Sequence, residues 1–469
     1  MDEPNYNSIN FDETEVYYFL GIGGIGMSAI ARYFHAQGKL VMGYDRTSTP
    51  LTTELEMEGI AVHFDDSVLE IPPVVRHTPR EKVLVIYTPA IPNVSVELNW
   101  LAEHGYTLIK RSQALGVITA QSRSIAVAGT HGKTTTSSMI AHMLKHSGMG
   151  CNAFLGGIAT NYATNLLIDK NAVWTVVEAD EYDRSFLTLS PEISIITSTD
   201  ADHLDIYGSH EYMKESFNLF AQRLNAGGLL IYRQGLPIDV SSLDAGIAHT
   251  TYSGSERAEQ FASAVHIVDG RYFFDYHAGD VCWKAIELGL PGMHNVENAI
   301  AAIAVCRAVG LDEAQVRAGL QSFMGVRRRF EYHIRRDDLV LIDDYAHHPE
   351  ELRACIESVR QLYPHKHITG VFQPHLFSRT RDFLEGFARS LEMLDDIILL
   401  PIYPARELPM PGIDSQLLLD NISKPSKKLV DKQFLLAELT GSPREVIVML
   451  GAGDIDALVS PVAAAFSGK

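Results

Sequence analysis

The chain has 469 residues, enough for two to four domains at about 100–200 residues each, three being the central value. Hydrophobic residues make up 46% and charged ones 21%, a globular balance that excludes disordered and fibrous architectures. With 39 basic against 58 acidic side chains the formal charge is −19, which argues against nucleic acid or membrane insertion. The basic runs Arg327-Arg328-Arg329 and Arg335-Arg336 are too short for a phosphate-backbone footprint. Cys151, Cys282, Cys306 and Cys355 are scattered without a CxxC pair, so reduced thiols are expected. The acidic start, MDEPNYNSINFDETE, argues against a secretory signal, and a cytoplasmic location is expected.

Strand-like apolar runs alternate with helical patterns, which predicts an α/β fold with parallel sheets. The first start is strand Val16–Leu20, a glycine cluster, helix Met27–Gln37, then strands Leu40–Tyr44, Val83–Tyr87 and Thr107–Ile109. A second start runs from strand Ser124–Ala128 through a glycine turn into helix Thr134–His146. Strands Val173–Val177, Ile193–Thr197 and Leu229–Tyr232 follow, with a helix over Glu211–Leu224. Residues 233–290 read as single strands and turns, an insertion or sheet edge, before helices Val296–Val309 and Asp312–Phe323. The third start is strand Leu339–Asp343, a helix led by Pro349, strand Ile368–Phe372, helix Arg381–Leu391, and strands Ile397–Leu400 and Val446–Leu450. Three domains are expected, over residues 1–115, 116–326 and 327–469. The first and last read as Rossmann-like, and the central one as a P-loop ATPase-type mononucleotide fold.

Gly21-Ile22-Gly23-Gly24-Ile25-Gly26 satisfies GxGxxG directly after a strand. Glycines there let the backbone approach a pyrophosphate at a helix N-terminus, where free N–H groups favour anions. Asp45, 19 residues after Gly26, stands where a ribose-binding acid sits. Alone, this pattern predicts a dehydrogenase, and it does not separate a dinucleotide from another pyrophosphate ligand. Such glycines also serve tight strand–helix packing with no ligand at all.

Gly129-Thr130-His131-Gly132-Lys133-Thr134-Thr135 follows the second apolar strand. A lysine and hydroxyls at a glycine turn opening a helix suit a nucleoside triphosphate: Lys133 for the β- and γ-phosphates, Thr134 for magnesium. The loop is a shortened variant, since Val127 holds the first glycine position of GxxxxGK[ST]. Glu178, Asp180 and Glu181 follow one later strand, and Asp200, Asp202, His203 and Asp205 another. Carboxylate and imidazole beside a phosphate loop can hold Mg²⁺, and they are equally ordinary as solvated loop ends.

GIGGIGMS, GTHGKTTT, EADE, DHLDIY, GMHNVENAIAA, GVRRRFE, DDYAHHP, FQPHLFSRTRDF and LGAGDI occur in this order over residues 16 to about 460. In this order the motifs resemble those of the Mur ligases, the ATP-dependent enzymes of peptidoglycan precursor synthesis. GIGGIGMS with DDYAHHP is similar to the branch that adds the first amino acid. The resemblance implies UDP-N-acetylmuramate and L-alanine as substrates, ATP and Mg²⁺ as cofactors, and a monomer or weak homodimer. It implies that Gly23, Gly24, Ile25, Gly26, Met27 and Ser28 wrap the diphosphate, with Asp45, Thr88 and Ala90 lining the same site. ATP is expected on Gly129 to Thr135 (Thr130, His131, Gly132, Lys133, Thr134), with His294, Asn295 and Asn298 on the adenine side. Arg328 and Asp344 are implied to reach the nucleotide from the third domain. Thr134, Glu178 and His203 are the implied metal ligands. Lys133, His203, His347 and Arg379 are the implied catalytic residues, with His348 and His375 on the amino-acid side. Two adjacent histidines on an extended segment point opposite ways, so one of His347 and His348 is expected to be structural. Other readings are a Mur-type ligase joining a preformed peptide, a two-domain dehydrogenase, and an idle nucleotide-binding scaffold.

Overall fold

The structure is a computed structural model that describes residues 9–200, 207–268, 270–405 and 407–467. The chain forms two compact units: Met1–Ser253 with Arg257–Gln260 and Ile300–Gly319, and Gly254–Glu256 with Phe261–Ala299 and Leu320–Lys469.

The first unit opens with a parallel sheet of β1 (Val16–Leu20), β2 (Leu40–Tyr44), β3 (Ala61–His63), β4 (Val83–Tyr87) and β5 (Thr107–Lys110), ordered β3-β2-β1-β4-β5. All five residues of β1 are buried, as expected of an aromatic and aliphatic run covered on both faces. Tyr17 stacks on Phe34 of the helix Ile25–Ala36 with ring centroids 3.9 Å apart, which fixes that helix on one face. The strand order reverses at β1, so the loops after β1 and β4 border a crevice suited to a ligand.

The same unit continues with β6 (Arg123–Ala128), β7 (Asn152–Ala159), β8 (Thr164–Leu167), β9 (Trp174–Glu178), β10 (Ile193–Ile196), β11 (Leu229–Arg233) and β12 (Ala248–Ser253). These run in the order β12-β11-β10-β6-β9-β7-β8, parallel except for the β7–β8 hairpin. The order reverses around β6, and the helix Lys133–His146 follows its glycine turn. Asn165 of β8 is fully buried; its Nδ2 donates to Ile25 O and Ser28 Oγ, and its Oδ1 accepts from Arg32 Nη1 at 2.7 Å. These bonds tie the first sheet's glycine helix to the second sheet's hairpin.

The second unit holds β13 (Gln260–Val268), β14 (Arg271–Ala278) and β15 (Val281–Leu288), in that order, with β14 and β15 antiparallel. Its larger sheet comprises β16 (Glu331–Arg335), β17 (Val340–Asp344), β18 (Ile368–Phe372), β19 (Asp396–Leu399), β20 (Lys427–Leu429) and β21 (Val446–Leu450). Their order is β16-β17-β21-β18-β19-β20, parallel apart from β16. The loops after β17, β21 and β18 therefore leave the same end of three adjacent strands. Buried aliphatic clusters cover both faces, one around Ile342, Phe372 and Val448, the other around Leu341, Val371 and Met449.

One expected helix, Arg381–Leu391, is two: Phe377–Asp382 and Leu384–Leu391 break at Phe383, whose backbone (φ −117, ψ 22) is not helical. The expected Glu211–Leu224 helix spans His210–Ala221, opened by Ser209, whose side chain accepts from Tyr212 N. Among the described residues no helix is long and apolar enough to cross a membrane. Cys151, Cys306 and Cys355 are buried and free, and Cys282 is exposed and free.

Candidate active site

The glycine loop closes on backbone bonds from Gly21 N and Ile22 N to Tyr44 O, at 2.8 and 3.0 Å. Gly23 N donates to Asp45 Oδ2 at 2.8 Å. Asp45 therefore organises the loop itself, a duty the ribose expectation did not contain. Gly24 caps the helix Ile25–Ala36 without a side-chain bond, so the first-turn N–H groups are what the loop offers an anion. Thr88 packs on the loop: a Cβ on Gly21 would stand 2.5 Å from its Cγ2. Ala90 N lies 3.4 Å from Thr88 Oγ1 in the same turn. Met27 and Ser28, expected at the diphosphate, turn their side chains inward; Ser28 Oγ donates to Ile25 O and accepts from Asn165 Nδ2. Both side chains are packing groups.

The second loop leaves β6 through Gly129 (φ +136) and reaches its helix at Gly132, left-handed at φ +82, where a side chain would be strained. Hydroxyls from the end of β10 hold it. Ser198 Oγ lies 2.7 Å from Thr130 Oγ1 and accepts from His131 N at 2.8 Å, while Thr197 Oγ1 donates to the carbonyls of Ala128 and His131. Lys133 Nζ donates to Gly129 O at 2.6 Å and meets both Glu181 oxygens, at 2.9 and 2.6 Å. Burial alone pulls the Lys133 ammonium down, but Glu181, Glu178 and Asp180 outweigh it, and its pKa stands above the ordinary lysine value. Thr134 and Thr135 follow on the first helical turn, both buried. Glu178 ends β9 directly beside Val127 of β6, and its Oε2 accepts from Gly156 N at 3.1 Å. Lys133 pairs with Glu181 and Arg111 with Asp180, and the Glu178 carboxylate and Thr134 hydroxyl beside them offer the oxygen donors that suit a divalent cation. His203 lies outside the described residues. Asn218 Oδ1 accepts from Asp239 N at 2.8 Å, and its Nδ2 donates to Lys214 O.

In the second unit, His294, Asn295 and Asn298 lie on the helix Met293–Ala308. Asn295 Nδ2 donates to Pro291 O, and Asn298 Nδ2 to Asn295 Oδ1. Burial, helped by Arg329, pushes the His294 imidazole down to about 4, so it is neutral at physiological pH. Arg328 has φ +60, donates to Gly451 O at 2.6 Å, and lies 3.5 Å from Asp343 and 3.3 Å from Asp456. Glu331, His333 and Asp343 converge closely enough to hold a metal ion, but the guanidinium of Arg328 already supplies the positive charge there. Asp344, expected at the nucleotide, is buried, and its two oxygens accept from Phe330 N and Ala346 N, each at 2.8 Å. Its carboxylate holds the turn after β17.

The histidine pair divides as its geometry requires. His348 is 6% exposed, caps the helix Pro349–Leu362 by accepting from Glu350 N, and packs edge-on against Phe383. Its side chain serves the helix cap, the structural duty expected of one member of the pair. His347 points the other way: its Nδ1 is 3.0 Å from Tyr345 O and 3.1 Å from Glu351 Oε2. Its ring faces His375 at 5.9 Å. Arg379 is buried on the helix Phe377–Asp382, which starts two residues after His375. The described geometry thus groups His347, His375, Tyr345 and Glu351. Sequence reading missed Glu181 as the partner of Lys133, and Thr197 and Ser198 as the brace of the loop. Hydroxyls at the end of an apolar strand beside a phosphate loop were the available signal.

Two glycine turns, one braced by a carboxylate and one carrying an ion-paired lysine, define a nucleotide-dependent α/β enzyme. Residues 16–123 match the Mur ligase family catalytic domain, 127–306 the Mur ligase middle domain, and 328–460 the Mur ligase glutamate ligase domain. The chain belongs to the Mur ligase family. It is 52% identical over 447 residues to a UDP-N-acetylmuramate–L-alanine ligase of Porphyromonas gingivalis, covering 95% of this chain and 97% of that one. A crystal structure of UDP-N-acetylmuramate–alanine ligase from Thermotoga maritima superposes with a TM-score of 0.82 at 26% identity, covering 96% of this chain and 99% of that one. A murein peptide ligase from Psychrobacter arcticus shares the fold at TM-score 0.68 and 21% identity, over 97% of this chain and 99% of its own.

Proposed function

We propose that this protein joins L-alanine to the lactyl carboxylate of UDP-N-acetylmuramate at the expense of ATP, the first peptide step of peptidoglycan precursor synthesis. The observation that carries this reading is the end-to-end identity of 52% to a ligase of that name, together with an intact Lys133 loop. A carboxylate is a poor acyl donor, so the γ-phosphoryl group of ATP is passed to it, and the amine of L-alanine displaces phosphate from the acyl phosphate. Phosphoryl transfer needs positioning and charge neutralisation more than covalent help. Lys133, held by Gly129 O and Glu181, would supply that positive charge, and the N–H groups of the loop and helix start would donate to the phosphates.

Thr134 and Glu178 are the described residues that would hold Mg²⁺, with His203 as the third proposed ligand. The ion supplies Lewis-acid neutralisation of phosphate oxygens. The glycine loop around Gly23 to Gly26 takes the diphosphate through backbone N–H groups. His347, His375 and Arg379 are proposed on the amino-acid side. In a neutral His347 ring whose Nδ1 donates to Tyr345 O, Nε2 is the acceptor, suited to receive a proton from the amine. The proposal carries working domains at 1–115, 116–326 and 327–469, a cytoplasmic location, and a monomer or weak homodimer.

The test is phosphate release with ATP, Mg²⁺ and UDP-N-acetylmuramate while the acceptor is varied. L-alanine should support turnover, and a preformed tripeptide should not. Turnover with the tripeptide alone would transfer the chain to the peptide-joining branch.

A further inference from the structure

Arg111 stands where the sugar-nucleotide loop and the phosphate loop come together. It is the first residue of the helix Arg111–Ala120, directly after β5, at the same sheet end as the glycine loop. A Cβ on Gly26 would lie 2.9 Å from Arg111 Nη1 and 3.2 Å from its Cδ, so the side chain rests against the first turn of the glycine helix. Gly26 is small because this arginine occupies the space. The other terminal nitrogen, Nη2, donates to Asp180 Oδ2 at 3.2 Å. Asp180 immediately precedes Glu181, the partner of Lys133, so one guanidinium touches both nucleotide loops.

The placement is electrostatically expensive as pure structure. A cation at the first turn of its own helix, beside the first turn of another, opposes two helix dipoles. Asp180 is one exposed-side carboxylate and offsets this only in part; its side chain is 39% exposed and that of Arg111 is 20% exposed. Arginine's planar fork suits an oxyanion, with one edge on Asp180 and the other toward the glycine loop.

We propose that Arg111 binds an anionic group of the sugar nucleotide, its diphosphate or its lactyl carboxylate, and that Asp180 holds the guanidinium in position. Arg111 is then a substrate-binding residue, and Asp180 a positioning residue that links the two loops. The inference rests on the proposed function and adds a residue that the glycine fingerprint does not contain.

The experiment compares Arg111→Ala, Arg111→Lys and Asp180→Asn with wild type, by initial rates and by titration with UDP and with UDP-N-acetylmuramate. Wild-type turnover with UDP-N-acetylmuramate and L-alanine comes first; its absence overturns the functional reading and not this one. Arg111→Ala should raise KM for the sugar nucleotide roughly ten- to hundredfold, as for loss of a charged hydrogen bond, with KM for ATP within about twofold. Arg111→Lys should recover part of the loss, and Asp180→Asn should shift the same KM in the same direction by less. Weakened binding of both UDP and UDP-N-acetylmuramate assigns the diphosphate; weakened binding of UDP-N-acetylmuramate alone assigns the lactyl carboxylate. If Arg111→Ala does not fold, the lysine and asparagine variants decide. Unchanged sugar-nucleotide KM in the folded variants, or an equal rise in KM for ATP, overturns the proposal.

Discussion

Lys133 Nζ and the Glu181 carboxylate form an ion pair with the two oxygens at 2.6 and 2.9 Å, and the ammonium also donates to Gly129 O at 2.6 Å. Gly129 O and Glu181 Oε1 are the hydrogen-bond acceptors of the ammonium, and Glu181 Oε2 adds an ion-pair contact. The carboxylate partner is 1% exposed and the lysine side chain 13%, so the pair is largely withdrawn from solvent. Removing either member strands the other charge in a buried site, which costs about 3–5 kcal/mol. Lys133→Met and Glu181→Gln should each lower Tm sharply, and the double variant should be less destabilised than the sum of the two. Differential scanning calorimetry of the three variants reads this directly. Lys133→Ala should also lower phosphate release by about a thousandfold or more while UDP-N-acetylmuramate binding stays near wild type.

At the other loop, Gly23→Ala tests the Asp45 brace. The new Cβ would stand 2.7 Å from Thr52 Cγ2 and 2.9 Å from Asp45 Oδ2, so the Gly23 N–Asp45 bond cannot keep its geometry. KM for the sugar nucleotide should rise by about tenfold or more, the equivalent of ~1.4 kcal/mol, with KM for ATP unchanged. Asp45→Asn keeps one acceptor oxygen, and its effect should be smaller. Steady-state kinetics with each substrate varied in turn separates the two.

The strands that carry these loops were legible because each is an apolar run buried on both faces; VYYFL, SIAVA and VIVML leave little alternative. Glu331–Arg335 was not legible, because EYHIR is an edge strand with mixed exposure and no clean period. The split at Phe383 was hidden for a related reason. Both halves carry helix-forming residues, and the break is set by where Phe383 packs on His348, a contact 35 positions away in sequence. Within the site, glycine and lysine positions followed from local pattern, whereas the duties of Asp45, Asp344 and Glu181 depend on which backbone or charge lies opposite. Spacing carries no information about that.

His347 and His348 should part company on mutation. His348→Ala removes a helix cap and an edge-on aromatic contact in a buried site, and should cost about 2 kcal/mol of stability. Its KM for L-alanine, measured at a temperature where the variant is folded, should stay within about twofold. His347→Ala should leave Tm nearly unchanged and raise KM for L-alanine or lower kcat by about tenfold or more. The opposite pattern would reverse the two assignments.

Glu97 is fully buried on the helix Val96–Glu103, which follows β4 in the first unit. Its Oε2 accepts from Tyr18 OH at 2.5 Å, and its Oε1 lies 3.5 Å from His63 Nε2 and 3.4 Å from Ser67 N. Burial pushes the Glu97 carboxyl up to about 7; Tyr18 and Ser67 pull it back in part, while Asp66 and Glu70 add to the rise. The folded protein therefore holds this proton more tightly than the unfolded chain, whose glutamate titrates near 4.5. The associated stability is fully present below pH 4.5, falls as pH rises to about 7, and is gone above it. A shift of that size amounts to about 3 kcal/mol. His63 works in the opposite sense, because burial lowers its pKa and stability grows as pH rises toward its ordinary value of 6.5. Glu97→Gln keeps an acceptor for Tyr18 and removes the carboxyl titration, giving up only the long 3.4 Å acceptance from Ser67 N. Urea midpoints, followed through the fluorescence of Trp100 on the same helix, should fall less for Glu97→Gln than for wild type between pH 5 and pH 8. At pH 8 the variant should be the more stable of the two. Equal pH dependence of the two proteins would place the Glu97 carboxyl in its ordinary range.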